Sequence, residues 1–309
     1  MEVSVIRPGM LTTVQDLGRR GHLAEGVPNG GAADAYALRI ANLLVGNPEN
    51  SPGLEITITG PELEFSEASW VAVCGARFED IPAWRPIHVE KGGRLRFGKR
   101  LMGCRAYLAL SGGIETESVL GGRGTYLAGG LGGFHGRALR AGDILRSVPS
   151  GRVPGGHWSI DERILPRYSR EPTARVMPGL HSREFGDSLY SGRFGVTPES
   201  DRMGMRLSGP KLVRPASGEL VSAAVAPGTV QVPPDGNPIV LMADAQTLGG
   251  YPRAAHVISV DLPLLAQLEP GDGLRFVAST LAEAHALVRA REHNLGLLRE
   301  GLAEKMKPA

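Results

Sequence analysis

Leu54-Glu55-Ile56-Thr57-Ile58 and Trp70-Val71-Ala72-Val73-Cys74 decide how this chain is read. Both are short strands of period two, bounded by glycine or proline, and most of the remaining sequence repeats that pattern. The chain has 43 Gly and 23 Pro among its 309 residues, about a fifth against roughly an eighth in average proteins. At 42% apolar residues it is nevertheless rich enough to fold. The reading is a mainly β protein of barrels or sandwiches with many turns.

Two turn signatures occur in both halves. Gly60-Pro61-Glu62-Leu63 matches Gly209-Pro210-Lys211-Leu212, and Ala141-Gly142-Asp143 matches Pro270-Gly271-Asp272, each expected to lead into an apolar strand. A weak duplication follows, with two related β modules. Ser147 to Gly156 is the best linker candidate, which places the modules at 1–160 and 161–309.

Helices are few. Ala33, Ala37, Ile40, Ala41 and Leu44 share one helical face, and Gly46 and Pro48 stop it. Thr280 and Glu283 form a capping box that opens a C-terminal helix with Leu281, Val288, Leu295 and Leu298 on one side; the tail after Gly301 is expected to fray.

Several functions are disfavoured at this stage. The 34 basic and 32 acidic residues leave a net charge of +2, without the dense basic surface that phosphate recognition needs. The longest apolar runs, 70–76 and 106–110, fall far short of a bilayer span. The N-terminus, Met1-Glu2-Val3-Ser4-Val5-Ile6-Arg7, alternates like a strand and has no leader pattern, so a cytoplasmic protein is expected. Two cysteines, Cys74 and Cys104, cannot make a disulfide framework or a zinc site and read as buried thiols. No metal site is expected.

Familiar catalytic motifs fail. The eight histidines lack His-Glu-x-x-His spacing, and no Gly-x-Ser-x-Gly elbow or in-register Gly-x-Gly-x-x-Gly occurs. Gly93-Arg94-Leu95-Arg96-Phe97-Gly98-Lys99-Arg100 approaches phosphate-loop spacing, but Arg100 replaces the magnesium-binding hydroxyl and the interior alternates like a strand. Met306-Lys307 has the dipeptide of biotin attachment sites without the hairpin that presents it.

Four polar clusters in Gly-rich turns remain, where a rigid β scaffold usually carries function. The first runs from Arg7-Pro8-Gly9 through Gln15-Asp16 to Gly30-Gly31 and Asp34; Gln15 and Asp16 can donate to and accept from an amide-like substrate, and Asp34 reads either as part of that set or as a helix cap. The second, from Arg105 to Thr125, contains Arg123, a candidate carboxylate or phosphate clamp or a solvated loop residue. The third is Ser200-Asp201-Arg202-Met203-Gly204-Met205-Arg206-Leu207, where Asp201 and Arg202 sit adjacent just before an alternating strand. The fourth is Asp244-Ala245-Gln246-Thr247-Leu248-Gly249-Gly250-Tyr251-Pro252, beyond the apolar strand Ile239-Val240-Leu241-Met242 and preceded by the stretch from Gln231 to Pro238, with turn chemistry at Asp235, Gly236 and Pro238.

In their order and separations these clusters resemble the family formed by the C subunit of 5-oxoprolinase, also known as KipA or allophanate hydrolase subunit 2, and by the second half of the carboxyltransferase domain of urea carboxylase. The resemblance runs from Arg7-Pro8-Gly9 to Gly273-Leu274-Arg275-Phe276 and is most specific at Asp201-Arg202-Met203-Gly204 and Gly249-Gly250-Tyr251-Pro252. It implies two cyclophilin-like β-barrel subdomains with a few short helices and a C-terminal helix. The chain departs from the family pattern at Gly122-Arg123-Gly124-Thr125, where serines are usual, and at Thr247-Leu248, where a Thr-Thr pair is usual.

The resemblance implies one component of an ATP-dependent 5-oxoprolinase, an amide (lactam) hydrolase that opens 5-oxoproline to L-glutamate and is active only with its partner subunits, a KipI-like B subunit and an A subunit. The alternatives are the carboxyltransferase half of a biotin-dependent urea or amide carboxylase, and a regulator that binds a KipI-like partner. Asp244 and Asp201 are then the candidate catalytic carboxylates. Gln15, Asp16, Arg123, Arg202, Gln246, Thr247, Gly249, Gly250 and Tyr251 form the candidate substrate-binding set.

Overall fold

The computed structural model describes all residues except 148–151, 155–159, 216–217, 219 and 309, with the backbone alone for 152–154, 307 and 308. The chain divides into two compact units, one of Met1–Arg20, Gly30–Pro166 and Glu292–Ala309, the other of Gly21–Asn29 and Arg167–Arg291.

Nine strands build the two larger sheets of the first unit: β1 (Glu2–Arg7), β2 (Leu11–Gln15), β3 (Gly53–Thr57), β4 (Glu62–Phe65), β5 (Ser69–Phe78), β6 (Pro86–Val89), β7 (Arg94–Arg96), β8 (Arg100–Leu110) and β9 (Ile144–Arg146). They form a four-stranded sheet in the order β7-β4-β1-β9 and a five-stranded sheet in the order β2-β3-β8-β5-β6. Val3, Val5, Leu63 and Phe65 from the first sheet join Leu54, Ile56, Val73 and Leu108 from the second in one buried apolar cluster. Each such side chain contributes roughly 1.5–3 kcal/mol on burial. A short strand, β10 (Arg152–Pro154), follows.

Helix α1 (Ala35–Leu44) buries Ala37, Ile40, Ala41 and Leu44, the face read from the sequence. Asp34 is its cap: its Oδ1 accepts the Ala37 N–H at 2.9 Å. That end of the helix is held further by the β3–β8 pair. Glu55 and Tyr107 face each other in register, the Tyr107 hydroxyl donates to Glu55 at 2.8 Å and accepts the Asp34 N–H at 2.7 Å, and the Ala33 N–H also reaches Glu55. Burial, with Glu55 and Asp34 beside it, pushes the Tyr107 phenol well above its usual pKa. Both cysteines are buried thiols outside any disulfide.

The second unit contains β11 (Thr173–Pro178), β12 (Phe194–Val196), β13 (Gly204–Ser208), β14 (Ala223–Ala224), β15 (Thr229–Gln231), β16 (Ile239–Leu241), β17 (Leu248–Gly249), β18 (Arg253–Val257) and β19 (Gly273–Ala278). Seven of them close a barrel in the order β11-β18-β15-β16-β13-β12-β19, sealed by the parallel β11–β19 pair. Helix α2 (Leu262–Ala266) precedes β19. Helix α3 (Leu281–Lys305) starts with the expected capping box: the Glu283 N–H donates to Thr280 Oγ1 at 3.2 Å and the Thr280 N–H to Glu283 at 2.8 Å.

The mainly β reading therefore holds, and four local expectations change. Leu281 is exposed, and the buried residues of α3 are Ala284, Leu295 and Leu302. The tail does not fray at Gly301: α3 continues to Lys305, and β20 (Met306–Pro308) pairs antiparallel with β10. The linker candidate contains β10, while 148–151 and 155–156 lie outside the described residues. After Gly209-Pro210 the described residues enter no strand until β14, and Leu212 bonds back to Gly236 across a loop.

Candidate functional site

The barrel of the second unit carries a cavity of about 500 Å³ on the β13–β16–β15 side of its wall. Strand alternation builds its floor. On β13, Met205 and Leu207 are buried while Arg206 and Ser208 are exposed. Arg206 is in register with Ile239, and Ile239 with Gln231. Side chains directly opposite one another across a ladder share a face, so Gln231, Ile239 and Arg206 form one row across three strands. Two strand spacings separate the ends of that row, about 10 Å between backbones.

The rim comes from loops. Glu199 and Asp201 precede β13, Asp235 and Asn237 precede β16, and Gln246 and Tyr251 flank β17. Asp201 Oδ1 accepts the Met203 and Gly204 N–H groups at 2.8 and 3.0 Å, which fixes the carboxylate while it stays exposed. The Thr197 hydroxyl, the Glu199 N–H and the Arg206 guanidinium hold the Glu199 carboxyl below its usual pKa. The Asn237 backbone and side-chain N–H groups do the same for Asp235. The cavity thus sets ionised carboxylates on its rim around one guanidinium on its floor.

Gln231 is 1% exposed. Its Oε1 accepts from Gln246 Nε2 at a long 3.4 Å, and its own Nε2 has no hydrogen-bond partner among the described residues. A Cβ at Gly249 would lie 2.4 Å from that nitrogen, so only glycine leaves the carboxamide its place.

Asp244 does not line this cavity. It is buried with Arg202, whose Nε and Nη2 donate to its two carboxylate oxygens. Thr247 is partly buried, its carbonyl accepting the Val225 N–H, and Gly249 pairs with Ala223. Gly250 and Tyr251 belong to an adjoining groove, and Tyr251 also lines the cavity.

Gln15, Asp16 and Arg123 come together in the first unit. Gln15 is buried and donates to the Thr125 carbonyl at 3.0 Å. Asp16 accepts the Gly18 N–H at 2.8 Å and the Arg123 N–H at 2.6 Å, while the Arg123 side chain is exposed. A Cβ at Gly124 would fall 2.7 Å from Gln15 Oε1 and 2.8 Å from Asp16 Oδ1. These contacts tie the second loop cluster to the end of β2.

Residues 25–278 match the model of a carboxyltransferase domain, subdomain A and B. The chain belongs to this carboxyltransferase-domain family. Among its relatives, the 5-oxoprolinase C subunit of Escherichia coli (strain K12) is 41% identical, covering 91% of this chain and 93% of that protein. The 5-oxoprolinase C subunit of Haemophilus influenzae is 35% identical over 95% of this chain and 96% of its own length. Among solved structures, the Kluyveromyces lactis urea carboxylase superposes with a TM-score of 0.90 at 31% identity, covering 99% of this chain and 30% of that one. Arg206 and Gln231 line the cavity floor, although in the sequence they stand only at the flanks of the third and fourth clusters, with no role assigned. In sequence Gln231 marks only the edge of a turn, and no local spacing signals its register with Arg206.

Proposed function

We propose that this chain is one component of an ATP-dependent 5-oxoprolinase and supplies part of the surface that holds 5-oxoproline while its lactam is opened to L-glutamate. The 41% identity to a 5-oxoprolinase C subunit over nearly the full length of both chains carries the reading. The cavity chemistry supports it. 5-Oxoproline is a five-membered lactam bearing one carboxylate, and Arg206 offers a planar guanidinium for that carboxylate. Asp201, fixed by two backbone N–H groups and exposed on the rim, is the carboxylate placed to orient water or take its proton. Asp244 supports the site from behind by holding Arg202, the neighbour of Asp201.

Opening an unstrained amide is difficult, and ATP would activate its carbonyl. The stretch with phosphate-loop spacing on this chain is strand β7 and its flanks, with Arg94 and Arg96 bonded to Glu64 and Glu62. ATP therefore belongs to the complex, with the A and B subunits as partners. The urea carboxylase likeness favours a second reading, carboxyl transfer from carboxybiotin to an amide nitrogen. On this chain Met306-Lys307 lies in paired strand β20, so biotin would arrive on another chain.

Co-expression with the partner subunits tests both readings. The purified complex is expected to release glutamate and ADP only when 5-oxoproline and ATP are both present. Urea-dependent carboxylation without glutamate release would favour the second reading.

A further inference from the structure

We propose that Gln231 is the amide reader of the site: its carboxamide pairs edge to edge with a cis amide, whose N–H and C=O point the same way, after Gln246 swings aside. The identity of that amide as 5-oxoproline rests on the functional reading above.

The starting observation is an unmet hydrogen-bonding capacity. Buried polar side chains are nearly always satisfied, and leaving one unsatisfied costs about 1–3 kcal/mol. Gln231, 1% exposed, has an unpartnered Nε2 among the described residues and an Oε1 engaged only at 3.4 Å. That nitrogen packs directly against Gly249, where a Cβ would come within 2.4 Å of it. The strain-free alternative, an apolar side chain in a barrel wall, is absent here although Ile239 beside it is apolar.

The group on Oε1 is informative too. Gln246 is exposed and lines the same cavity, so it is free to rotate into solvent. Its Nε2 belongs to a primary carboxamide, which places an amide N–H on Gln231 already. A ligand amide that displaces Gln246 replaces one such contact with another and adds a C=O for the idle Nε2.

Edge-to-edge pairing selects the ligand. The Gln231 carboxamide presents an acceptor and a donor on one edge, so its partner must present N–H and C=O on one edge as well. A five-membered lactam is locked in that form, and urea has it. A secondary peptide amide is trans and does not. The row register adds the second anchor: Arg206, two strands away, reaches toward a carboxylate on the same ligand.

The test measures binding to the co-expressed complex by calorimetry, using 5-oxoproline and its N-methyl analogue, which lacks the amide N–H. Wild type is expected to bind 5-oxoproline at least about 10-fold more tightly than the analogue. Q231L should erase that preference by weakening 5-oxoproline alone, whereas a purely structural loss weakens both ligands alike. Q246A removes the group that the ligand displaces and should bind 5-oxoproline about 2- to 5-fold more tightly than wild type, because a competitor worth about one weak hydrogen bond is gone. Equal affinity of wild type for the two ligands, binding of neither, parallel losses in Q231L, or no gain in Q246A would each overturn the proposal. If the preference depends on Gln231 but no glutamate is released with ATP, the 5-oxoprolinase reading fails and the amide-reading role stands. If glutamate is released and Q231L keeps the preference, the reverse holds.

Discussion

Arg202 and Asp244, 42 positions apart, are joined through both side chain and backbone: the guanidinium donates to both carboxylate oxygens at 2.8 and 3.0 Å, and the Asp244 N–H donates to the Arg202 carbonyl at 2.9 Å. Both side chains are more than nine-tenths buried. The pair therefore ties the loop before β13 to the loop after β16, the two that carry Asp201 and Gln246. Removing one partner strands the other charge away from water. D244N is expected to destabilise the protein by about 3–5 kcal/mol, read as a lower melting temperature. The double variant R202M/D244L should recover much of that loss, since no buried charge remains.

Arg206 and Asp201 should separate by kinetic signature in the reconstituted complex. R206A removes a charge-assisted contact worth about 1.5–3 kcal/mol, so KM for 5-oxoproline should rise about 10- to 100-fold, and R206K should restore only part. D201N keeps the Oδ1 acceptor that the Met203 and Gly204 N–H groups use. Its melt should match wild type while kcat falls about 10²-fold. An unchanged kcat would remove Asp201 from the proton chemistry.

His256, on β18, lies beside Thr229 with Nδ1 3.4 Å from its hydroxyl, and burial lowers its pKa below the usual 6.5. The unfolded chain then binds this proton more readily than the folded one. Stability from this group is complete above about pH 6.5 and is lost as the pH falls from there toward the folded pKa. Melting temperatures followed from pH 8 to pH 5.5 should drop more steeply for wild type than for H256Q.

Tyr107 supports the entry of α1 through one donated and one accepted hydrogen bond. Y107F leaves the Asp34 N–H and one lone pair of Glu55 without that partner in the interior. A loss of about 1–3 kcal/mol is expected, with faster amide exchange at Asp34 and Ala37 than in the rest of α1.

The parts of this fold that are legible in the sequence are those set by near neighbours. Asp34 and the Thr280–Glu283 box act on N–H groups three residues away, and the alternation of Met205 and Leu207 is a property of one strand. The site is a property of register. Gln231, Ile239 and Arg206 meet only once β15, β16 and β13 are paired, and Asp244 meets Arg202 only after β16 has returned along β13. Polar residues sought in loops thus include Asp201, Gln246 and Tyr251 on the rim, whereas the two floor residues, which lie in strands, stand at the flanks of those loop clusters and carry no role until the strands are paired. Spacing alone puts Leu281 on the buried face, but Leu281 is exposed and burial begins at Ala284.

The interleaving of the two units in sequence constrains how the protein is made. All seven barrel strands lie between Thr173 and Ala278, so the barrel can close before α3 has been made in full. The first unit cannot finish so early. β1 sits inside its four-stranded sheet, yet Arg39 takes Glu292 as a bidentate partner and Leu295 and Leu302 are buried. Within this sequence, strands made early wait for residues made about 250 positions later, and during that interval the apolar surface that Leu295 and Leu302 cover is open. A chain cut at residue 291 would keep every barrel strand and leave that earlier-made half unfinished.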